Sequence, residues 1–147
     1  MKKIIAAVAL LVVLVVNVSA QKSEIFAPGG KAIRGYDPVA FFKESKPVMG
    51  TDSFSMVWKE ANWLFSTKEN MQAFKENPEK FCPQYGGYCA YGTSEGHKAP
   101  TQADTWTIAG DKLYFNYNTK VKQMWMKDQE ILIKKADVQW MDLKTKP

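Results

Sequence analysis

The residues best suited to chemistry, two cysteines and a histidine, lie close together in the chain. Cys82 and Cys89 flank a glycine pair and His97 follows, so both cysteines and the only histidine fall within residues 81–97. Two sulfurs and one imidazole suit Cu(I) or Zn(II), and three ligands leave a coordination position open for uptake and release of the ion. The pattern predicts a metal site at Cys82, Cys89 and His97, for copper first and zinc second.

A disulfide is the competing interpretation of the same cysteines. Exported proteins normally oxidise an even number of cysteines that lie close in sequence. Closing so short a loop would stabilise the fold by roughly 2 to 3 kcal/mol and would remove both thiolates from a metal site. The alternative is therefore a disulfide-stapled binding module for an organic ligand or a protein partner, with no metal.

Catalysis is not indicated by these residues. Cys89 and His97 could form a thiolate pair, but an oxidising compartment works against a free catalytic thiol. A serine nucleophile would need the same histidine, and the chain has no nucleophile elbow. We expect a protein that is not an enzyme.

The first twenty residues predict export. Two lysines precede an uncharged apolar run, Ile4 to Val16, which is too short to span a membrane. Val18-Ser19-Ala20 has the small residues of a signal-peptidase site. We expect a signal peptide over 1–20, cleavage after Ala20, and a periplasmic or secreted protein that is not held in a membrane.

The charge of the remaining chain names no partner. Loss of residues 1–20 removes two lysines, which leaves 18 basic against 15 acidic residues and a net charge of +3. This charge is too small and scattered to indicate nucleic-acid binding. The remaining 127 residues are enough for one domain with a real core. A metal ion or a small ligand is the expected partner, and the sequence does not identify a protein partner.

Turn and cap residues divide the chain into elements. Residues 21–31 contain Pro28-Gly29-Gly30 and read as an N-terminal arm before a domain over 32–147. Asp37 before Pro38 predicts a helix start. Ser66 and Glu69 have capping-box spacing for a second helix. Asn77-Pro78 should end that helix and start a short one.

Two hairpins and a helical C-terminus complete the pattern. Phe54, Met56 and Trp58 alternate with polar residues, as do Trp63 and Phe65, and a second pair of alternating runs flanks Gly110-Asp111. Asn118 and Asp128 start two helices. Their apolar faces are expected to carry Val121, Met124 and Trp125 in the first and Ile133, Ala136 and Trp140 in the second. The fold class is α+β, a small single domain with antiparallel hairpins packed against short helices.

Tyrosines recur every three residues around the glycine pair, at Tyr85, Tyr88 and Tyr91. Aromatic rings in such a loop can line a pocket or present an interface. They can equally be core rings whose hydroxyls bond the loop backbone. The sequence leaves both alternatives open.

Several motifs together resemble the YHS-domain family, in its small secreted bacterial type. The resemblance runs from about Ala32 to Trp140 and rests on Arg34-Gly35-Tyr36-Asp37-Pro38-Val39-Ala40-Phe41-Phe42, Trp63-Leu64-Phe65-Ser66, Phe74, Asn77-Pro78-Glu79-Lys80-Phe81 and Pro83-Gln84-Tyr85-Gly86-Gly87-Tyr88-Cys89-Ala90. The related TRASH-like domains are metal-binding or metal-sensing, so the resemblance implies metal handling. In metal-binding relatives three cysteines occupy positions that are Ala40, Ser66 and Asn70 here.

Overall fold

The computed structural model describes residues 23–147. The predicted signal peptide over 1–20 lies outside the described residues, as do Gln21 and Lys22. No helix within residues 23–147 is long and apolar enough to cross a membrane.

The predicted α+β architecture is confirmed. Six α-helices and four strands occur in the described part of the chain. In chain order they are α1 (Pro38–Lys43), β1 (Thr51–Trp58), β2 (Ala61–Phe65), α2 (Lys68–Glu76), α3 (Pro78–Phe81), α4 (Ala90–Ser94), β3 (Thr107–Ala109), β4 (Lys112–Tyr114), α5 (Thr119–Lys127) and α6 (Gln129–Leu143).

Both hairpins form as expected. β1 pairs antiparallel with β2, and β3 with β4, each as a separate two-stranded sheet. Each hairpin turns over two residues with positive φ, Lys59-Glu60 in the first and Gly110-Asp111 in the second. Turns of this hand match the right-handed twist of the flanking strands.

The core has two parts. The larger cluster is built on aromatic side chains that are almost completely buried, from both hairpins and from α1 and α2: Phe41, Trp63, Phe65, Phe74 and Phe115. The smaller cluster joins α5 and α6 to the second hairpin through Tyr85, Tyr114, Trp125 and Ala136. Ile133 and Trp140 pack against this cluster, so the predicted inner face of α6 is confirmed.

Asparagine and aspartate caps begin helices where predicted. The Asp37 carboxylate accepts from the Val39 and Ala40 N–H groups at 2.9 and 3.2 Å. Asn77 and Asn118 cap α3 and α5 in the same way. Each cap satisfies N–H groups that have no partner within the helix.

Two details of the prediction are wrong. α2 is capped by Thr67 and not by Ser66, because the Ser66 hydroxyl donates instead to Asp37. Met124 is 42% exposed and not a core residue, although Trp125 beside it is fully buried. Adjacent residues on a helix point about 100° apart, and only Trp125 faces the smaller cluster.

The N-terminal arm docks on the domain over its described part. Ile25 and Phe26 are buried, and the Phe26 N–H donates to the Gly86 carbonyl at 2.8 Å. The Phe26 carbonyl accepts from the Ile33 N–H, also at 2.8 Å. The segment is thus held between two turns of the domain.

Candidate functional site

The loop that carries the cysteines turns through left-handed backbone conformations between them. Cys82 directly follows α3, and Cys89 is the residue before α4. Between them, Tyr85, Gly86 and Gly87 have φ values of 58°, 63° and 91°. This conformation favours glycine and is rare for other residues, which explains the glycine pair in the sequence.

The arm explains why Gly86 has no side chain. A Cβ on this residue would lie 1.8 Å from the Glu24 carbonyl oxygen, so any side chain would displace the arm. Gly86 therefore couples the arm to the cysteine loop.

Cys82 lies in a small polar cleft with charged walls. The cleft has a volume of about 170 Å³, and its lining includes Lys59, Glu24 and Glu79. The Lys59 ammonium is 2.9 Å from the Glu24 carboxylate and 3.6 Å from that of Glu79. Burial raises the pKa of the Cys82 thiol to about 12, against the opposing effect of the Lys59 charge. The thiol is therefore protonated and unreactive at neutral pH.

Cys89 has different neighbours. Its sulfur accepts from the Gly92 and Tyr117 N–H groups at 3.4 and 3.3 Å, and its thiol donates to the Asn116 side-chain oxygen at 3.6 Å. Burial raises the pKa of this thiol, although the two N–H groups favour the thiolate. The side chain is held in one place and is closed to solvent.

His97 and Cys89 both lie next to Gly92. A Cβ on Gly92 would lie 3.2 Å from the His97 Nε2 atom, and the same glycine donates its N–H to the Cys89 sulfur. The imidazole is exposed. Cys89 and His97 thus share a neighbour, whereas neither lines the cleft of Cys82.

The predicted three-ligand metal site is not assembled. Among residues 23–147, no group of three or more histidine, cysteine or acidic side chains is arranged to hold a metal ion. Cys82 and Cys89 are both buried and carry no disulfide bond.

The positions at which the YHS resemblance implies thiolates do converge, but around a carboxylate. Asp37 is fully buried, and one of its oxygens accepts from the Ala40 N–H. The other accepts from the Ser66 hydroxyl and the Asn70 amide, both at 2.8 Å. Alanine, serine and asparagine supply no soft ligand here, so these residues do not fit a transition metal.

The tyrosines of the loop have their hydroxyls bonded within the protein. Tyr85 donates to the Asp137 carboxylate at 2.9 Å, and Tyr88 donates to the Ser23 carbonyl at 2.8 Å. The Lys98 ammonium also donates to the Ser23 carbonyl, at 3.2 Å, and to the Lys146 carbonyl, at 2.6 Å. Tyr85 and Tyr88 are thus buried rings with bonded hydroxyls, and each also lines a concave surface, Tyr85 the cleft of Cys82 and Tyr88 a cleft beside the arm.

Two larger concave surfaces flank the core, each with a volume of about 530 to 540 Å³. The first, the arm cleft, lies between the arm and Tyr88, and its lining includes Phe26, Pro28, Lys98 and Pro100. The second, the aromatic groove, has a lining that includes Phe41, Phe42, Trp106, Thr107, Ile108, Lys122 and Met126. Both volumes lie in the range of small-molecule sites.

Thr107, one of the residues that line the aromatic groove, has a side-chain oxygen that the described residues leave unsatisfied. The Thr107 hydroxyl is buried and has no hydrogen-bond partner among the described residues. At the rim, the Lys122 ammonium donates to the Trp106 carbonyl at 2.9 Å. The sequence predicts a strand before Gly110-Asp111 but not this groove, because Phe42 and Met126 reach the groove from distant elements.

Comparison with known proteins assigns no family. No family model matches the chain, and no curated protein or solved structure is detectably similar to it. The YHS resemblance stays a prediction that rests on the motifs alone.

Proposed function

We propose that this chain is an exported, non-catalytic domain that binds a small organic ligand in the aromatic groove. The observation that carries the proposal is that Thr107 lines this groove and has a buried hydroxyl with no partner within residues 23–147. The oxygen is covered by its neighbours, so a ligand reaches it only when the Thr107 side chain shifts toward the groove. An unsatisfied buried hydroxyl is unfavourable in a folded protein. A ligand that hydrogen-bonds this hydroxyl would remove that cost.

The groove suits a ligand with a flat apolar body and one polar group. Trp106 and Phe42 offer ring surfaces, and Met126, which is 52% exposed, offers an adaptable side chain. The arm cleft is the weaker candidate, because its Tyr88 hydroxyl is already bonded to Ser23. Unlike the disulfide-stapled module predicted from the sequence, the binding module proposed here has no bond between Cys82 and Cys89.

The experiment is a titration with pairs of aromatic fragments that differ only by a hydroxyl or carbonyl group. Two-dimensional NMR monitors the binding. We expect shift changes at residues 106–108, and tighter binding of the polar member of each pair. Thr107→Val keeps the side-chain shape and should weaken the polar fragments by about threefold to tenfold, with the apolar fragments unchanged.

A variant of the other concave surface supplies the matched control. Ala27→Trp should fill part of the arm cleft, where Ala27 is half-buried, without changing binding to the groove. Fragment binding that is lost in Ala27→Trp and kept in Thr107→Val would contradict the proposal. An absence of binding by every fragment would also contradict it.

A second candidate function, metal handling, is favoured by one observation only. The Cys89 sulfur and the His97 imidazole both lie against Gly92. One sulfur and one imidazole can hold Cu(I), which accepts two soft ligands, and Zn(II) is the second choice. The proposal here is narrower than the three-residue site because Cys82 is not included.

Native mass spectrometry with added Cu(I) or Zn(II) tests this candidate. If it holds, reduced protein gains one ion, and the gain is lost in Cys89→Ser and His97→Ala but kept in Cys82→Ser. Uptake that survives both Cys89→Ser and His97→Ala would place the ion elsewhere. No uptake at micromolar metal would end the metal hypothesis.

A further inference from the structure

Helix α6 carries two apolar stripes on opposite sides. The inner stripe, through Leu132, Ala136 and Trp140, faces the smaller core cluster. The outer stripe is Ile131, Val138 and Met141, which are 58%, 70% and 74% exposed. Residues seven apart on a helix share a face, so Ile131 and Val138 line up. An exposed apolar stripe of this kind is typical of a surface that packs against another helix.

The charges that accompany the outer stripe are ordered about its centre. Glu130, Lys134, Val138 and Asp142 follow one another at intervals of four residues within α6, and Lys146 continues the interval just beyond the last helical residue, Leu143. The order of signs is therefore negative, positive, apolar, negative, positive. When this series is laid against a reversed copy of itself with Val138 at the centre, every charge faces a charge of the opposite sign.

This pattern fits a second copy of the same helix in antiparallel orientation. A two-fold axis at Val138 would place Lys134 opposite Asp142 of the second copy, and would bring Glu130 toward the end of the second copy's helix, which Lys146 follows. A parallel pair in register would instead put like charges together. Rows of residues four apart are also the ridges by which helices most often pack.

We propose that two copies of this protein associate through the outer stripe of α6, antiparallel and centred on Val138. The apolar residues supply most of the binding energy, because exposed ion pairs contribute little. The charges set orientation and exclude the parallel arrangement. This inference does not rest on the proposed ligand site, which lies at α1, β3 and α5.

The ion pairs within each helix are compatible with this arrangement. Lys134 is 3.1 Å from Glu130, and Lys146 contacts Asp142. These four side chains are between 55% and 86% exposed. Lys134 and Asp142 can therefore each contact an opposite charge of the same chain and another on the second copy.

The test is sedimentation velocity on the protein produced from the full chain, from about 1 µM to about 1 mM, which spans weak and moderate affinities. We expect a monomer that becomes a dimer as concentration rises. Lys134→Glu and Asp142→Lys, each alone, should weaken the dimer by about tenfold or more, because each creates two like-charge contacts. The double variant Lys134→Glu/Asp142→Lys should restore it.

Two valines of similar exposure supply a matched control. Val138→Ser should abolish the dimer, whereas Val57→Ser, on β1 and 73% exposed, should leave it unchanged. Far-UV circular dichroism and thermal unfolding check that each variant is folded, and both valines are exposed enough for that to be expected. A monomer at every concentration, a dimer insensitive to the charge reversals, or no rescue by the double variant would overturn the proposal.

Discussion

Two buried polar side chains, Asp37 and Asn116, differ in how fully the surrounding residues satisfy their hydrogen-bonding groups. Both are completely inaccessible to solvent. Asp37 accepts five hydrogen bonds, from two helix N–H groups, from the N–H and hydroxyl of Ser66, and from the Asn70 amide. Every donor lies within 3.2 Å of a carboxylate oxygen.

Asn116 is only partly satisfied. Its side-chain oxygen accepts from the Tyr91 N–H at 3.2 Å and weakly from the Cys89 thiol. Its amide nitrogen has no partner within the described residues. A buried charge without donors would be far less tolerable than a buried amide with one unmade bond. The fold therefore satisfies the buried Asp37 side chain in full. Near Cys89, the Asn116 amide nitrogen keeps a hydrogen bond unmade.

The largest expected effect comes from removing the Asp37 carboxylate. Asp37→Ala leaves its buried N–H and amide donors without an acceptor, and we expect a loss of about 3 to 5 kcal/mol in the free energy of unfolding. Urea denaturation followed by tryptophan fluorescence measures it. Asp37→Asn, which keeps one acceptor oxygen, should cost less than Asp37→Ala. A loss below about 1 kcal/mol in Asp37→Ala would remove the contrast with Asn116.

Asn116→Ala should have a smaller effect on stability. It removes one hydrogen bond to the Tyr91 backbone and one weak bond to sulfur, so we expect a loss of about 2 kcal/mol. The same denaturation measurement applies. A loss equal to that of Asp37→Ala would show that the unsatisfied amide nitrogen has a partner in solution.

The buried Cys82 thiol should make the stability of the protein depend on pH. The pKa of Cys82 is raised from 9.0 to about 12, so the unfolded chain releases this proton first as pH rises. Stability should be unaffected by this thiol below pH 9 and should fall between pH 9 and 12. At pH 10 the loss should reach about 1.4 kcal/mol.

Comparison of the wild-type protein with Cys82→Ala isolates this contribution. Lysines and tyrosines titrate in both proteins, so only the difference between their two stability curves reports on the thiol. The curves should approach one another from pH 8 to 10. Parallel curves would mean that the thiol is not buried as described.

The smallest expected effect belongs to an exposed cap next to the Asp37 region. Thr67→Ala removes the side-chain acceptor of the Asn70 N–H, at 3.1 Å, and should lower stability by about 1 kcal/mol. Lys68→Ala, at the neighbouring exposed position, is the control and should change stability little. If Thr67→Ala lowered the free energy of unfolding more than Asn116→Ala, an exposed position would matter more than a buried one, contrary to this prediction.

Local features of the fold were predictable from the sequence. Asp37 before Pro38, the alternation around Gly110-Asp111, and the caps Asn77 and Asn118 all act over a few residues. Each therefore leaves a short pattern that does not depend on the rest of the chain. The inner stripe of α6 was predictable for the same reason.

Features set by residues far apart were not predictable. Ser66 looked like a helix cap, but a carboxylate 29 residues earlier in the chain competes for its hydroxyl. Cys82 and Cys89 are near in sequence, yet the left-handed turn at Tyr85 directs them into different surroundings. The aromatic groove likewise depends on how α1, β3 and α5 meet, and no single segment encodes that.

Lys98 brings the two ends of the described chain together. Its ammonium donates to the carbonyls of Ser23 and Lys146, so these two oxygens can be no farther apart than the sum of two hydrogen bonds. A circular permutant should therefore tolerate a short linker between these ends. New termini could open in the exposed segment Glu44–Lys46 after α1, where no strand or core residue would be cut. Such a rearranged chain would separate residue 23 from the segment predicted to be the export signal while keeping the arm docked.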